Sequence, residues 1–156
     1  MYCTECDYPG REYADHLGYI FNLEKSKASS TQKWLDNLEV PCRQRCNKCS
    51  YKLTYQIDHK EAPEILVLEY PCTNIKSSHK IKIKIKDEYK VLSLRGVIYH
   101  GNNHFCSRIV SVDGTIWYND GITTGNNSIE DGHLSTTSYK ELKTCNEKIL
   151  VLAIYA

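Results

Sequence analysis

Short apolar runs recur along this chain, and some of them, such as Tyr51–Ile57 and Ile81–Lys86, have polar residues at every second position, a period typical of half-buried β-strands. Valine, isoleucine and tyrosine dominate these runs, and all three residue types favour strands. The predicted strands are Tyr19–Leu23, Tyr51–Ile57, Ala62–Tyr70, Ile81–Lys86, Val91–Tyr99, Phe105–Val112, Thr115–Tyr118 and Ile149–Tyr155. One stretch, Gln32–Leu38, has helical spacing instead and follows the N-cap signal Ser29-Ser30-Thr31. The pattern predicts an α+β fold that is mostly antiparallel β.

The dipeptide Asp113-Gly114 lies between two of these runs and predicts a hairpin, because a type I′ turn needs positive φ at both central residues. A two-residue loop at this point places Arg108 opposite Asn119. His104 then lies four residues along the strand from that pair, or ~13 Å at the usual rise. The later segment Asn126–Ser138 is polar and rich in turn-forming residues, so we expect it to be a loop.

The segment Ile81–Lys86 alternates isoleucine with lysine, which leaves two interpretations of its basic face. The first is a half-buried strand with a solvated lysine face, which also protects an edge strand from aggregation. The second is a basic strip that binds an acidic partner.

The overall composition gives little attraction to nucleic acid or to anionic membranes, since 20 Lys and Arg against 19 Asp and Glu leave a net charge of +1. No apolar run approaches the ~20 residues of a membrane span. The first residues lack the basic and apolar regions of a signal peptide. We therefore expect one cytoplasmic or nuclear domain with no nucleic-acid or membrane partner.

The eight cysteines include two Cys-x-x-Cys pairs, Cys3 with Cys6 and Cys46 with Cys49. Two residues between cysteines let both sulfurs of one tight turn face a single ion, and two such turns complete a tetrahedral four-thiolate site. The spacing predicts a zinc ribbon with structural Zn²⁺ and no open coordination position. Cys42 is a rival ligand, although three residues separate it from Cys46. The alternative is a set of inert thiols.

The region around His104 resembles the histidine end of the ubiquitin-specific proteases. The resemblance lies in Tyr89…Val97-Ile98-Tyr99-His100-Gly101, Asn103-His104-Phe105 and Trp117-Tyr118-Asn119-Asp120. The sequence departs from the family pattern at Asn103, where glycine is usual, and at Phe105, where tyrosine is usual. The segments from Cys3 to Tyr155 follow the family's order, and the strings look most like its divergent members in transposon-derived proteins.

The resemblance implies the fingers and palm of a papain-like cysteine-protease domain without its helical thumb. Residues 1–60 would form zinc-ribbon fingers, and residues 61–156 would form the palm within one structural domain. His104 would be the catalytic base, with Asn119 or alternatively Asp120 holding its ring, and His100 would line the substrate path.

The family's nucleophilic cysteine would precede the first knuckle, so we looked for a substitute within the chain. Cys106 is two residues from His104 on the same strand face, which lacks the opposed geometry of a triad. Cys42, Cys72 and Cys145 are expected to pack in the interior.

The leading hypothesis is the C-terminal part of a ubiquitin-specific-protease-like domain. Such a domain, when intact, cleaves ubiquitin or ubiquitin-like conjugates by a thiol mechanism, but this part is expected to be inactive alone. Its partners would be a ubiquitin-like protein, and either a missing thumb segment or a second copy of the chain. The alternative is a non-catalytic zinc-ribbon and β-sheet module that binds protein. The two differ in whether His104 and Asn119 converge on one cleft.

Overall fold

A computed structural model describes residues 2–6, 20–23, 28–36, 39–56, 59, 61–70 and 74–156. The predictions made for Tyr19, Leu38, Ile57 and Cys72 lie outside the described residues. The strands within them are β1 (Tyr2–Cys3), β2 (Ile20–Asn22), β3 (Glu39–Arg45), β4 (Lys52–Gln56), β5 (Leu66–Glu69), β6 (Lys80–Ile85), β7 (Glu88–Gly101), β8 (His104–Val110), β9 (Thr115–Asn119), β10 (Ile129–His133), β11 (Thr144–Cys145) and β12 (Lys148–Tyr155). The helices are α1 (Thr31–Asp36) and α2 (Tyr139–Lys143).

Most of the strands belong to one large sheet with the order β10-β9-β8-β7-β12-β5-β2, in which β6 also pairs with β7 and β11 with β12. All its pairs are antiparallel except the parallel pair of β2 and β5. The prediction of a mostly antiparallel β fold is confirmed. Neither helix in the described part is long and apolar enough to cross a membrane.

Strand β7 is the longest element and joins the parts of the large sheet. Its first half pairs with β6, and its second half pairs with β8 on one side and β12 on the other. Near Gly96 the pairing of β7 with β12 is irregular, and the series of buried positions shifts by one residue. The buried side chains are at even-numbered positions before this point (Leu92 and Leu94) and at odd-numbered positions after it (Val97 and Tyr99). One face of the strand thus stays in the core from Leu92 to Tyr99, whereas residues 88–91 are exposed.

Helix α1 covers one end of this core and starts as expected. The backbone N–H of Lys33 donates to the Ser30 hydroxyl at 3.3 Å, so Ser30 is the N-cap. Trp34 and Leu35 are buried against the large sheet. The Thr31 hydroxyl lies 2.6 Å from the Tyr70 hydroxyl and satisfies this buried polar group.

The small sheet has the order β1-β4-β3 and its own small cluster of buried residues, Cys3, Cys46 and Leu53. Its strands come from the segment predicted to form the fingers. From the same segment, β2 pairs with β5 and α1 packs against β6, so these two elements lie with the large sheet.

Two hairpin turns differ from the expected geometry. Ser111 pairs with Thr115 through a backbone hydrogen bond of 2.9 Å, so the loop has three residues, and Gly114 alone takes positive φ (98°). The register therefore places Ser107, not Arg108, opposite Asn119. A two-residue type I′ turn occurs in the preceding hairpin, where Asn102-Asn103 joins β7 to β8. Their φ angles are 54° and 55°, positive as this turn type requires.

The predicted loop Asn126–Ser138 contains a strand, and a short helix follows it. Strand β10 pairs with β9 although all its residues are exposed, since backbone pairing to the sheet edge outweighs its weak strand propensity. Helix α2 begins with a capping box in which Ser138 and Glu141 bond to each other's backbone N–H. The sequence carries the signal for this box, Ser-x-x-Glu.

Candidate metal and histidine sites

The four cysteines of the two Cys-x-x-Cys pairs meet in the small sheet. Their Sγ atoms all lie within 4.8 Å of one another. The Cys3–Cys49 sulfurs are 3.4 Å apart and the Cys6–Cys46 sulfurs 3.6 Å apart, so none of the four is in a disulfide. Thiolates at ~2.3 Å from a tetrahedral zinc ion lie ~3.8 Å apart, and the cluster fits this arrangement.

The backbone of the second knuckle is folded to direct its sulfurs inward. Cys46 N–H donates to the Tyr51 carbonyl at 2.7 Å, and Ser50 N–H donates to the Cys46 carbonyl at 2.8 Å. Lys48 N–H points at the Cys46 sulfur, 3.4 Å away. Burial raises the pKa of Cys46, but hydrogen bonds from the Lys48 and Cys49 backbone and from neighbouring thiols lower it to about 7. A thiolate, which is the form that binds metal, is thereby favoured. The side chain of the rival ligand Cys42 lies outside the described part.

His104 is the first residue of β8 and follows the type I′ turn directly, opposite Gly101. Its Nε2 atom is buried and has no hydrogen-bond partner among the described residues. Gly101 fits closely against the neighbouring strand β12, because an added Cβ would lie 3.1 Å from the Cα of Lys148.

Strand alternation places Asn119 and His104 on opposite faces of the large sheet. Asn119 pairs with Ser107, and both alternate with inward-facing Cys106 and Tyr118. His104 lies on the face of Cys106. The Asn119 amide donates to the carbonyls of Gly125 (3.2 Å) and Asn127 (2.7 Å), so it stabilises the loop after β9.

Asp120 lies beside Tyr118, whose hydroxyl donates to the Asp120 carboxylate at 3.1 Å. The same carboxylate accepts backbone N–H bonds from Ile122 (3.0 Å) and Thr123 (2.6 Å). Hydrogen bonding to Thr123 is the main cause that lowers the pKa of Asp120 to about 2. The carboxylate is therefore ionised and held by its own loop. No contact in the described residues tests a catalytic role for His104, Asn119 or Asp120, and these assignments stay predictions.

His100 lies on the solvent side of the large sheet, where its ring packs on Phe105 with centroids 4.4 Å apart. We call this surface the outer face and define it by two rows of residues that pair across neighbouring strands. The first row is Ile149, His100 and Phe105 on β12, β7 and β8, and the second is Ile109 and Trp117 on β8 and β9. Its apolar side chains include three that are exposed, so this face lacks a covering layer within the described structure.

Sequence reasoning missed a polar cluster on the inward side. The Asn146 amide donates to the Tyr118 hydroxyl at 2.9 Å, and burial is the main cause that raises the pKa of Tyr118 to about 12. Lys148 is nearly buried, and its ammonium contacts the Asn146 carbonyl at 3.5 Å. Asn146 and Glu147 both have positive φ and form the tight turn between β11 and β12. An asparagine before a strand was the available signal for this turn.

Two further cysteines are buried in the main core. Cys106 and Cys145 are free thiols with little exposure. Burial raises the pKa of Cys145 to about 11, which disfavours a thiolate. The expectation that these side chains pack in the interior is confirmed.

Comparison with profiles of known protein families finds no match, and comparison with curated proteins finds none either. Solved structures do match the fold. The Ubp8-Sgf11-Sgf73-Sus1 SAGA DUB module contains a chain that is 14% identical, with a TM-score of 0.59 over 99% of this chain and 37% of the other. The SAGA Ubp8/Sgf11/Sus1/Sgf73 DUB module bound to ubiquitin aldehyde gives 13% identity and a TM-score of 0.53 over 88% and 35%.

A further structure, described as the SAGA Ubp8/Sgf11/Sus1/Sgf73 DUB module, contains a chain that is 15% identical. Its TM-score is 0.53 over 90% of this chain and 33% of the other. This chain therefore spans about a third of the length of each matched chain. At this level of identity the likeness shows the fold alone, and that fold is of the ubiquitin-specific-protease type in its sheet region.

Proposed function

We propose that this chain forms the zinc-ribbon and palm part of a ubiquitin-specific-protease-like domain and binds ubiquitin or a ubiquitin-like protein. The fold likeness carries the proposal, since it extends over 99% of the chain in one neighbour. Another solved structure that matches the fold, the SAGA Ubp8/Sgf11/Sus1/Sgf73 DUB module, is described as bound to ubiquitin aldehyde. The sheet that matches these chains also presents the outer face, where apolar side chains are available to a protein partner.

The four clustered cysteines would hold one structural Zn²⁺ ion. The sulfur spacing and the absence of disulfides among these four support this assignment. With all four positions taken by thiolates, the ion would stabilise the small sheet and take no part in catalysis. The strands β1, β3 and β4 of segment 1–60 would then form the fingers. The segment 61–156 would form the palm, together with β2 and α1, which lie with the large sheet.

The catalytic form of the proposal requires a thiol from outside these 156 residues. His104 would take the proton of that thiol and later protonate the leaving amine. Asp120, which lies beside inward-facing Tyr118, would hold its ring, because Asn119 lies on the opposite sheet face. The Nε2 atom of His104 is buried and has no hydrogen-bond partner in the part of the chain that the structure describes, which supports a histidine kept available for such a thiol. Alone, the chain is expected to be inactive.

A non-catalytic protein-binding module is the second candidate, and a specific observation favours it. His104 and Asn119 lie on opposite sheet faces, and the side chains of Asn119 and Asp120 are already bonded within their own loop. The two candidates share ubiquitin binding and differ only in whether His104 serves a nucleophile.

Ubiquitin with a thiol-reactive C-terminal group tests both parts of the proposal on the zinc-loaded chain. We expect a non-covalent complex and no covalent adduct by intact mass. The matched control is ubiquitin without the reactive group, which should bind equally well. An adduct on Cys106 or another cysteine would overturn the proposed inactivity. Failure of ubiquitin and of ubiquitin-like proteins to bind would overturn the proposal itself.

A further inference from the structure

A second candidate interaction surface lies on the ribbon formed by β6 and the first half of β7, away from the residues discussed above. Lys80, Lys82 and Lys84 are exposed on one face of β6, while Ile81 and Ile83 are buried on the other. The cross-strand partner of Lys82 is Val91, and that of Lys84 is Tyr89. We call these five residues, Lys80, Lys82, Lys84, Tyr89 and Val91, the lysine face.

The lysine face combines unpaired cations with exposed apolar area. Tyr89 is 63% exposed and Val91 is 50% exposed, although both lie in the middle of regular strand pairing. None of the three ammonium groups forms an ion pair with another described residue. The nearby acidic residue Glu88 pairs with Ile85 and therefore belongs to the opposite face. Exposed Tyr89 and Val91 do not add to solubility, so a role in solubility alone does not account for this face.

The free edge of β6 is already occupied at its centre. Lys82 N–H donates to the Gln32 side-chain oxygen at 2.7 Å, and the Gln32 amide donates back to the Lys82 carbonyl at 3.0 Å. The glutamine side chain thus takes the place of a neighbouring strand's peptide group. A partner cannot add as a further strand at this point, and the lysine face remains as the accessible surface.

We propose that the lysine face binds an acidic, extended protein segment. Alternate residues of an extended chain are ~6.6 Å apart, so carboxylates at every second position would match the three lysines in register. A leucine or aromatic side chain of the same segment would cover Tyr89 and Val91. The net charge of only +1 gives the chain little attraction to a nucleic-acid backbone, which favours an acidic protein segment over nucleic acid. This proposal is independent of ubiquitin binding.

A fluorescein-labelled peptide tests the proposal by anisotropy on the full chain at about 50 mM salt, where exposed charges are weakly screened. The peptide has nine residues, with glutamate alternating with leucine and threonine. We expect saturable binding that weakens as salt rises. Lys82→Gln with Lys84→Gln should weaken it roughly tenfold, since each exposed pair contributes modestly. Lys140→Gln with Lys143→Gln on α2 removes the same charge and should change binding less than twofold.

Glutamine removes the charge and keeps the first two methylenes of the lysine stem, and a thermal melt of each variant confirms folding. Val91→Ser should weaken peptide binding and leave its salt dependence unchanged. Equal binding by the Lys82 and Lys84 variant and the parent chain would overturn the proposal. Equal binding of a peptide with glutamine in place of glutamate would also overturn it. Tighter binding of decathymidylate or of phosphatidylserine vesicles would replace the protein segment by nucleic acid or membrane.

Discussion

Asp120 is the residue on which the loop after β9 depends. Its carboxylate accepts bonds from two backbone N–H groups and the Tyr118 hydroxyl, and its folded pKa of about 2 lies below the unfolded value of about 4. A lowered folded pKa means that ionised Asp120 stabilises the folded chain above pH 4. This contribution is lost as the pH falls from 4 through 2.

We therefore expect Asp120→Asn to lower the urea midpoint at pH 6 and to lose this difference from the parent chain as the pH falls towards 2. Asp87→Asn is the matched control, because Asp87 is exposed in the turn after β6. Its effect on the urea midpoint at pH 6 should be small. A difference between Asp120→Asn and the parent chain that stays constant with pH would contradict the assigned role of the Asp120 carboxylate.

Asn103 sets the position of His104 through its backbone. The resembled family has glycine here, and φ of 55° explains why asparagine is an acceptable replacement. Asn103→Gly should leave stability nearly unchanged. Asn103→Ala should lower the free energy of unfolding by about 1 kcal/mol, because alanine is strained in the left-handed region. Chemical denaturation of the two variants decides the point, and equal stability would exclude the type I′ turn.

At the scale of single elements, the sequence predicted the strands well and the connections less well. Ile81–Lys86 alternates isoleucine with lysine, and Ile149–Tyr155 is a continuous apolar run. Both form strands: β6 is shifted by one residue at each end, and β12 begins one residue earlier than predicted. The Asp113-Gly114 signal found the hairpin but not its loop length, because only Gly114 takes positive φ. The extra loop residue shifts the register by one, so that Ser107 and not Arg108 lies opposite Asn119. This shift decides on which face of the sheet Asn119 lies relative to His104.

Strand β10 was missed because its residues carry no apolar period, and only pairing with β9 makes them a strand. The cysteine cluster was predicted correctly, since its spacing alone brings the sulfurs together once β1 and β4 pair. The relation of His104 to Asn119 could not be predicted, because it depends on turn geometry between the two strands.

The small sheet should depend on metal, since its buried cluster contains few residues besides the cysteines. We expect one zinc per chain, and chelation should abolish amide protection at Cys46, Ser50 and Leu53. Protection in β7 and β12 should persist, because the main core contains Val97, Tyr99 and Tyr155. Hydrogen exchange with and without chelator measures both regions. Unchanged protection of the small sheet after zinc removal would contradict a structural metal.

At the scale of the whole molecule, the outer face predicts self-association of the isolated chain. Phe105 is 59% exposed and Ile109 is 50% exposed on a continuous sheet surface. Phe105→Ser with Ile109→Ser should shift the chain towards monomer at about 100 μM in analytical ultracentrifugation. Val112→Ser with Ile122→Ser removes exposed apolar residues from loops and should have little effect. A parent chain that stays monomeric at this concentration would contradict the prediction.

Titration of ¹⁵N-labelled, zinc-loaded chain with unlabelled ubiquitin tests the central claim most directly. The account predicts saturable shift changes in the small sheet and the large sheet, and a chelated sample should bind more weakly. The His104→Asn variant should bind as the parent chain does, since the histidine is assigned to chemistry and not to affinity. Absence of shift changes with millimolar ubiquitin would mean that the chain shares the fold of these proteases without their partner.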